Sequence, residues 1–382
     1  MSRVCLVRCP SPFLIDEKVF PPLGLIAVGT RYKKDGSEVY IHDDPSQEIP
    51  LNYDIYGFGP TTPEYPYAVS TARWIKERNP DAITVIGGPH SSAMPDACND
   101  DGFDCVFMGR MYDGIIDRSL IDIRSYKYFI DGELATTILT SYGCPYHCAF
   151  CSRNGKPEMR PIQDVIDEIG YLHDEFGYKA LMFFDDTFVS HRDRAEKIMS
   201  VLKKLGIVWR CFVRGDQIVR HGQKFVDHMA EDGCREVGMG IESGSNAILS
   251  AINKGEKIQD VMEAVVMLKR SDIRVKGFFI VGLPGESKET LACTEGFLTD
   301  ASIDAADFTV FQPYPGSDIW MHPEKYDISW DGLDYKTMFY KGRPGEYKVN
   351  VWTSSLSSDE ILTARDRLER DFGMHRKLQQ AV

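Results

Sequence analysis

The sequence predicts an α/β protein with two parallel sheets and a small C-terminal extension. Three observations predict it. Between residues 135 and 312, six short apolar runs alternate with helical patterns. The first 120 residues show a similar alternation of their own. The segments between runs are mostly long enough for helices, and parallel strands need such crossovers. At 382 residues the chain has room for two domains, placed here at 1–120 and 121–320, with 321–382 as the extension.

In the first domain, residues 4–7 read as a strand. Pro21-Pro22-Leu23-Gly24-Leu25 opens a helix running to about Lys34, because proline is tolerated in a first turn. Residues 38–42 and 54–58 are strands and 67–77 a helix. Residues 83–86 are a strand leading into Gly87-Gly88-Pro89-His90, and 104–108 are a fifth. This is a doubly wound, Rossmann-like pattern. The segment joining Asp43 to Asp54 is short and contains Pro45 and Pro50, so one crossover lacks its helix.

In the second domain the strands are 135–141, 178–184, 207–213, 235–240, 275–281 and 306–312. Apolar residues three and four apart mark the helices between them: Val165, Ile166, Ile169 and Leu172; then Ile198, Val201, Leu202 and Leu205; then Val261, Val265, Val266 and Leu268. Gly206 and Gly233 stand where helices should stop. Right-handed crossovers wind such a sheet into a barrel or part of one, with ligands at the C-terminal strand ends. In the extension, residues 330–352 are rich in Tyr, Gly and Lys, and either cover the barrel mouth or pack as an irregular segment. Ser357-Ser358-Asp359-Glu360 caps a last helix whose stripe includes Ile361, Leu362 and Leu368.

The composition, 43% hydrophobic and 26% charged, is that of a globular protein. No apolar run is long enough to span a bilayer, and no signal peptide is evident. A formal net charge of −13 argues against a nonspecific grip on nucleic acid. Of the ten cysteines, Cys5, Cys9, Cys98, Cys105, Cys211, Cys234 and Cys293 lie mostly in apolar runs or at element ends and read as buried thiols. A cytoplasmic location suits them.

The other three form Cys144-Pro-Tyr-His-Cys148-Ala-Phe-Cys151, just after the first strand of the second domain. Three thiolates can hold a [4Fe–4S] cluster and leave its fourth iron open. Zinc usually takes four ligands; His147 is the available fourth, but it lies inside the loop between two cysteines.

This stretch, including Phe150 before the third cysteine, resembles the signature of the radical S-adenosylmethionine (radical SAM) superfamily. The resemblance covers about residues 135–318 and implies a partial (β/α)6 barrel. It also implies a [4Fe–4S] cluster on Cys144, Cys148 and Cys151 whose open iron is chelated by SAM. Reductive cleavage of SAM then gives a 5′-deoxyadenosyl radical that takes hydrogen from a substrate. Segments at successive strand ends match the family's SAM-binding segments. Asp186 is expected at the SAM amino group and Arg214 at its carboxylate. Glu242 and Ser243 are expected at the ribose and methionyl end, and Ile280 and Gly282 at adenine, with Pro313 after the sixth strand. Thr61, His90, Asp216, Gln312 and Tyr314 are candidate substrate contacts. No second cysteine cluster appears, so no auxiliary cluster is expected.

The first domain resembles the cobalamin-binding domain of one large radical SAM class. The residues that carry this are Pro-Pro-Leu-Gly-Leu, Gly59-Pro60-Thr61-Thr62 with the following 65–67 segment, and Gly87-Gly88-Pro89-His90. It is reduced: a crossover helix is missing, and the class's acidic Gly-Glu-Gly-Glu turn is replaced by Gly109-Arg110-Met111-Tyr112-Asp113. No D-x-H-x-x-G segment supplies a lower-axial histidine, and His42 and His90 read as structural or surface residues. Cobalamin at the strand ends is possible in this class, but the trimmed walls favour a domain that shapes the substrate site without it. The expected function is then hydrogen abstraction from a small sugar-like or natural-product substrate, for dehydration, epimerisation, rearrangement or lyase chemistry. The alternative is cobalamin-dependent C-methyl transfer. A tRNA-modifying enzyme is a further alternative, disfavoured by the acidic charge and the missing second cluster. Expected partners are the small substrate and an electron donor such as flavodoxin or ferredoxin, with no nucleic acid and no membrane.

Overall fold

The computed structural model describes residues 2–12, 14, 16–109, 114–152, 157–338 and 347–373. It divides into two units: described residues through Lys127 with 314–316 and 333–338, and the remainder from Tyr128 onward. The 321–382 extension is therefore shared between them rather than forming a unit of its own.

Unit 1 holds β1 (Arg3–Val7), α1 (Leu23–Lys34), β2 (Glu38–His42), β3 (Ile55–Phe58), α2 (Tyr65–Arg78), β4 (Ile83–Ile86), α3 (Gly88–Ala93), α4 (Pro95–Asp100) and β5 (Cys105–Val106). The strands run parallel in the order β2-β1-β3-β4-β5. Alternation along β1 explains the double winding. Val4 and Leu6 pack with Leu25 and Ile26 of α1, while Cys5 and Val7 pack with Ala68, Ala72 and Ile75 of α2. The order reverses between β1 and β3, so loops after these strands flank a crevice of the kind that binds ligands in open α/β sheets. The missing crossover helix is confirmed, since residues 43–54 are irregular. They still cover the sheet: Ile49, Leu51 and Tyr53 pack into the α2-side core, and Pro50 O accepts from Tyr56 Oη at 2.7 Å. The fifth strand is shorter than the expected 104–108, and residues 110–113 of the altered turn lie outside the described residues.

Unit 2 opens with β6 (Tyr128–Ile130) and β7 (Glu133–Ile138), followed by β8 (Ser141–Tyr142), β9 (Glu158–Met159), α5 (Ile162–Phe176), β10 (Ala180–Phe183), α6 (Arg192–Leu205), β11 (Val208–Val213), α7 (Gly215–His221), α8 (Gln223–Glu231) and β12 (Cys234–Glu242). It continues with α9 (Asn246–Ala251), α10 (Ile258–Arg270), β13 (Arg274–Val281), α11 (Lys288–Asp300), β14 (Ala305–Val310), α12 (Asp318–Met321), β15 (Ser329–Trp330), β16 (Val351–Trp352) and α13 (Ser358–Phe372). Its main sheet runs β14-β13-β12-β11-β10-β7-β6. The first six of these are parallel and laid down in sequence order; only β6 is antiparallel. Successive crossovers of one hand curl such a sheet into a half-barrel. Helices stop where glycine can turn left-handed, as at Gly177 (φ 70°) and Gly206 (φ 65°). Along β13, Val275, Gly277, Phe279 and Val281 are buried, and the alternate residues are half-buried. Those alternate residues share a face with Phe212 and Asp307. Gly238 makes room there, since a Cβ on it would stand 2.8 Å from the Phe212 ring and 2.9 Å from that of Phe278.

The sheet ends in β6 at one edge and β14 at the other. β6 pairs along β7. At the other edge, buried Arg365 of α13 donates through Nε to the Phe308 carbonyl of β14 at 3.0 Å, its guanidinium lying 4.1 Å from the Tyr347 ring centroid. The α13 cap is as expected: Ser357 Oγ accepts from Glu360 N, and the Glu360 carboxylate accepts from Ser357 N at 3.0 Å. The 330–352 segment contributes the short β15–β16 ladder and, in unit 1, a turn through Tyr335; its residues 339–346 are not described.

Two expectations are corrected. Cys105 and Cys293 are exposed, because each lies on the outward side of its element; the other five thiols outside the motif are buried. Val266 is exposed, as its position turns away from the α10 stripe. No disulfide joins any of the ten cysteines. Among the described residues, no helix is long and apolar enough to cross a membrane.

Candidate functional site

The three cysteines follow β7, and the chain there is clamped from several sides. Thr140 donates through N (3.0 Å) and Oγ1 (2.6 Å) to the Asp185 carboxylate, and Ser141 Oγ donates to it at 2.5 Å. Burial pushes the Asp185 carboxyl up, and these donors oppose that shift. Arg160 donates to Leu139 O at 2.5 Å and forms a buried ion pair with Glu168 at 2.7 Å. Arg194 donates to Thr140 O at 3.0 Å. The doubled aspartate after β10 therefore splits its work. Asp185 anchors the cysteine loop, and Asp186 is left at the strand end, close enough to help raise the Cys144 thiol, whose main cause is burial.

The loop itself is fixed by backbone bonds. Ala149 N donates to Ile252 O at 2.8 Å, Ile319 N to Ala149 O at 3.0 Å, and Asn253 Nδ2 to His147 O at 2.9 Å. Cys148 is buried, and Cys144 and Cys151 are half-buried. His147 is exposed, so it is not a fourth ligand. Among the described residues, no three His, Cys, Asp or Glu side chains converge on one point as a single ion requires. Three thiolates suit a cluster in which each takes its own iron, whereas structural zinc usually takes four ligands.

At the end of β11, Arg214 is buried with its guanidinium fully engaged. Nε meets Asp216 at 2.9 Å, Nη2 donates to Lys254 O at 2.8 Å, and the Tyr146 ring centroid lies 3.7 Å away. Asp216 also accepts from Tyr146 Oη at 3.3 Å, and its N–H donates to Glu256 at 2.8 Å. Asp216 therefore braces the site rather than standing free for substrate. At the end of β12, Glu242 adopts a left-handed backbone (φ 66°) and pairs with buried Lys254 at 2.8 Å. A non-glycine residue held there is strained, as residues at functional sites often are. Gly240 leaves room for the pair: a Cβ on it would stand 2.5 Å from Glu242 Oε1. Ser243 lies within hydrogen-bond reach of Thr294 Oγ1, 3.4 Å away, and Gly244 N donates to the same oxygen at 3.0 Å.

The remaining candidates divide. Phe150 and Ile280 are half-buried, and Ile280 is registered with Thr309 of β14. Gly282 (φ 88°) donates its N–H to Glu286, whose carboxyl burial pushes up to about 8. Pro313 is buried. Gln312 is buried and donates to Lys348 O at 3.3 Å. Tyr314 Oη donates to Met338 O at 3.0 Å, within unit 1. In unit 1, Thr61 N donates to Glu64 at 2.8 Å. His90 is enclosed, with its ring stacked 4.0 Å from that of Tyr65 and edge-on to Tyr335 at 5.3 Å. It offers no open edge to a substrate, and burial lowers its pKa to about 4. His42 is buried too, so neither histidine is a surface residue. Sequence reasoning missed Tyr146, Lys254 and Glu256. Tyr146 was inside the motif but had no assigned role, and Lys254-Gly255-Glu256-Lys257 reads as an ordinary charged loop.

Residues 138–297 match the Radical SAM superfamily. An uncharacterized methyltransferase of Pyrococcus horikoshii is 30% identical, over 84% of this chain and 83% of its own length. Cytidylyl-2-hydroxyethylphosphonate methyltransferase of Streptomyces wedmorensis is 29% identical over 67% of this chain, but the match spans only 49% of that enzyme. Among solved structures, the radical S-adenosylmethionine methyltransferase TsrM from Kitasatospora setae, with cobalamin and a [4Fe–4S] cluster bound, superposes with a TM-score of 0.65 at 16% identity. The superposition covers 96% of this chain and 85% of that one. The cobalamin-dependent enzyme OxsB, with aqua-cobalamin and S-adenosylmethionine bound, gives 0.61 at 16% identity, covering 79% and 52%. These two likenesses show a shared fold. With the cysteine loop at the mouth of a six-stranded half-barrel, and a relative this similar along most of both chains, the chain belongs to the radical SAM superfamily.

Proposed function

We propose that this protein is a cobalamin-dependent radical SAM methyltransferase that modifies a carbon of a small organic substrate. The observation that carries the cobalamin part lies in unit 1. The ends of the neighbouring strands β2 and β1 lead to buried side-chain atoms with no hydrogen-bond partner among the described residues: both ring nitrogens of His42, and Ser11 Oγ. Buried polar atoms are costly unpaired, and a row of them at the ligand edge of a doubly wound sheet fits a polar ligand held there. The missing crossover helix, which favoured a domain without cobalamin, is a weaker argument now. Residues 43–54 still cover the sheet through Ile49 and Leu51. The methyltransferase relatives support the same choice over dehydration, epimerisation or lyase chemistry.

In this reading Cys144, Cys148 and Cys151 hold the cluster, which when bound supplies the electron that splits SAM; cobalamin, when bound, supplies a methyl carrier. The electron comes from a small donor such as flavodoxin or ferredoxin. Asp186, Glu242, Ser243, Ile280, Gly282 and Pro313 orient SAM at the strand ends, with Lys254 holding the Glu242 carboxylate in place. Phe212, Phe278 and the Lys276–Asp307 pair, 2.7 Å apart, line the sheet face open to a substrate. Glu242→Gln is expected to weaken SAM binding by about 1.5–3 kcal/mol, the usual worth of a charge-assisted hydrogen bond. Equilibrium binding to the reconstituted protein checks this, and unchanged affinity would remove Glu242 from the site.

The function is tested by anaerobic purification with hydroxocobalamin. We expect stoichiometric cobalt and a methylated product whose formation needs added cobalamin. Cobalt-free protein that cleaves SAM and yields an unmethylated product would restore hydrogen abstraction without methyl transfer.

A further inference from the structure

We infer that Arg214 tunes the reduction potential of the cluster through Cys148, instead of clamping the SAM carboxylate. The inference rests on the three cysteines holding that cluster. Each end of the guanidinium is accounted for. Asp216 takes Nε at 2.9 Å and the Lys254 carbonyl takes Nη2 at 2.8 Å. The remaining nitrogen, Nη1, stands 4.0 Å from Cys148 Sγ, within reach of an N–H···S contact.

The neighbours hold this pose. Tyr146 lies under the guanidinium face at 3.7 Å and belongs to the loop between the first two cysteines, so the platform and the sulfur share one rigid segment. Tyr146 Oη in turn bonds Asp216 at 3.3 Å and accepts from Gln217 Nε2 at 3.2 Å. Glu256 accepts the Asp216 N–H at 2.8 Å. A flexible clamp that must receive a new carboxylate would not be tied at this many points. Lysine could not replace this group, because it offers neither a planar face nor a forked set of donors.

The consequence is electrostatic. Donation of N–H to a ligand sulfur, with a buried cation beside it, withdraws electron density and favours the reduced cluster.

The test uses the full chain, reconstituted anaerobically, with Arg214→Met, Arg214→Lys and Tyr146→Leu. Iron content is measured first; an unmodified chain without iron would sink the cluster assignment, not this inference. An EPR-monitored reductive titration without SAM then gives the midpoint potential, and SAM affinity is measured separately on the oxidised protein. We expect a more negative midpoint in Arg214→Met and Arg214→Lys and a smaller shift of the same sign in Tyr146→Leu, with SAM affinity unchanged. An unmoved midpoint with weakened SAM binding would overturn the inference in favour of the clamp. If Arg214→Met cannot hold iron, Tyr146→Leu decides by the same readings. Iron loss in all three variants would mean that the residues only brace the loop, and would overturn it as well.

Discussion

Replacing Cys144, Cys148 and Cys151 together with alanine is expected to remove all of the iron, from about four atoms per chain to none, and to abolish SAM cleavage. The loss should be chemical and not structural. The loop keeps its place through Ala149 N to Ile252 O, Ile319 N to Ala149 O, and Asn253 to His147 O, none of which uses a thiol. The variant should then show an unchanged far-UV spectrum and melting curve of the apo chain. Each single Cys→Ala change should lose SAM cleavage too, because three ligands leave no spare. Iron analysis and assay of 5′-deoxyadenosine are the measurements. Four irons retained in the triple variant would place the cluster elsewhere.

Glu168→Ala is expected to be the most destabilising single change near the site, at about 3–5 kcal/mol, the range for removing one partner of a buried ion pair. Glu168 and Arg160 are buried, with side-chain exposures of 1% and 4%. Removing the carboxylate takes away the 2.7 Å partner of a buried guanidinium below the cysteine loop, where it also holds Leu139 O. Urea denaturation of the apo protein, read with a probe in unit 2, should show the lowered midpoint. Glu168→Gln should fall between the two, since it keeps shape and one acceptor. A midpoint unmoved in Glu168→Ala would mean that water reaches the pair and screens it.

Much of the fold was legible because it rests on periodicity. Each of the six barrel strands was placed within a few residues, and the run of strand–helix units implied parallel pairing. The leading strand β6 was not legible: three residues, Tyr128–Ile130, carry too little pattern, and only the neighbouring β7 defines it. In the site, strand-end positions were legible but partners were not. The sequence cannot rank the two members of the Asp185-Asp186 doublet; Thr140 and Ser141, far away in the chain, make the first one structural. Arg214 read as a cation waiting for a carboxylate because its neighbours Tyr146 and Lys254 become neighbours only on folding. His90 read as a residue on a ligand loop, whereas Tyr335, hundreds of residues later, encloses it.

The two edges of the half-barrel sheet bear on how this protein behaves before it meets any cofactor. An open parallel sheet ends in rows of unpaired amides and carbonyls that can template association with another chain. Here one margin is a three-residue antiparallel strand, too short to template much pairing, and at the other an arginine side chain meets an edge carbonyl while its helix packs on the strand. The scaffold can thus remain curled open toward its substrate without becoming adhesive at its rims. A chain shortened before Ser357 would trade that protection for intermolecular strand pairing, seen as concentration-dependent light scattering, even with every cluster and SAM contact intact.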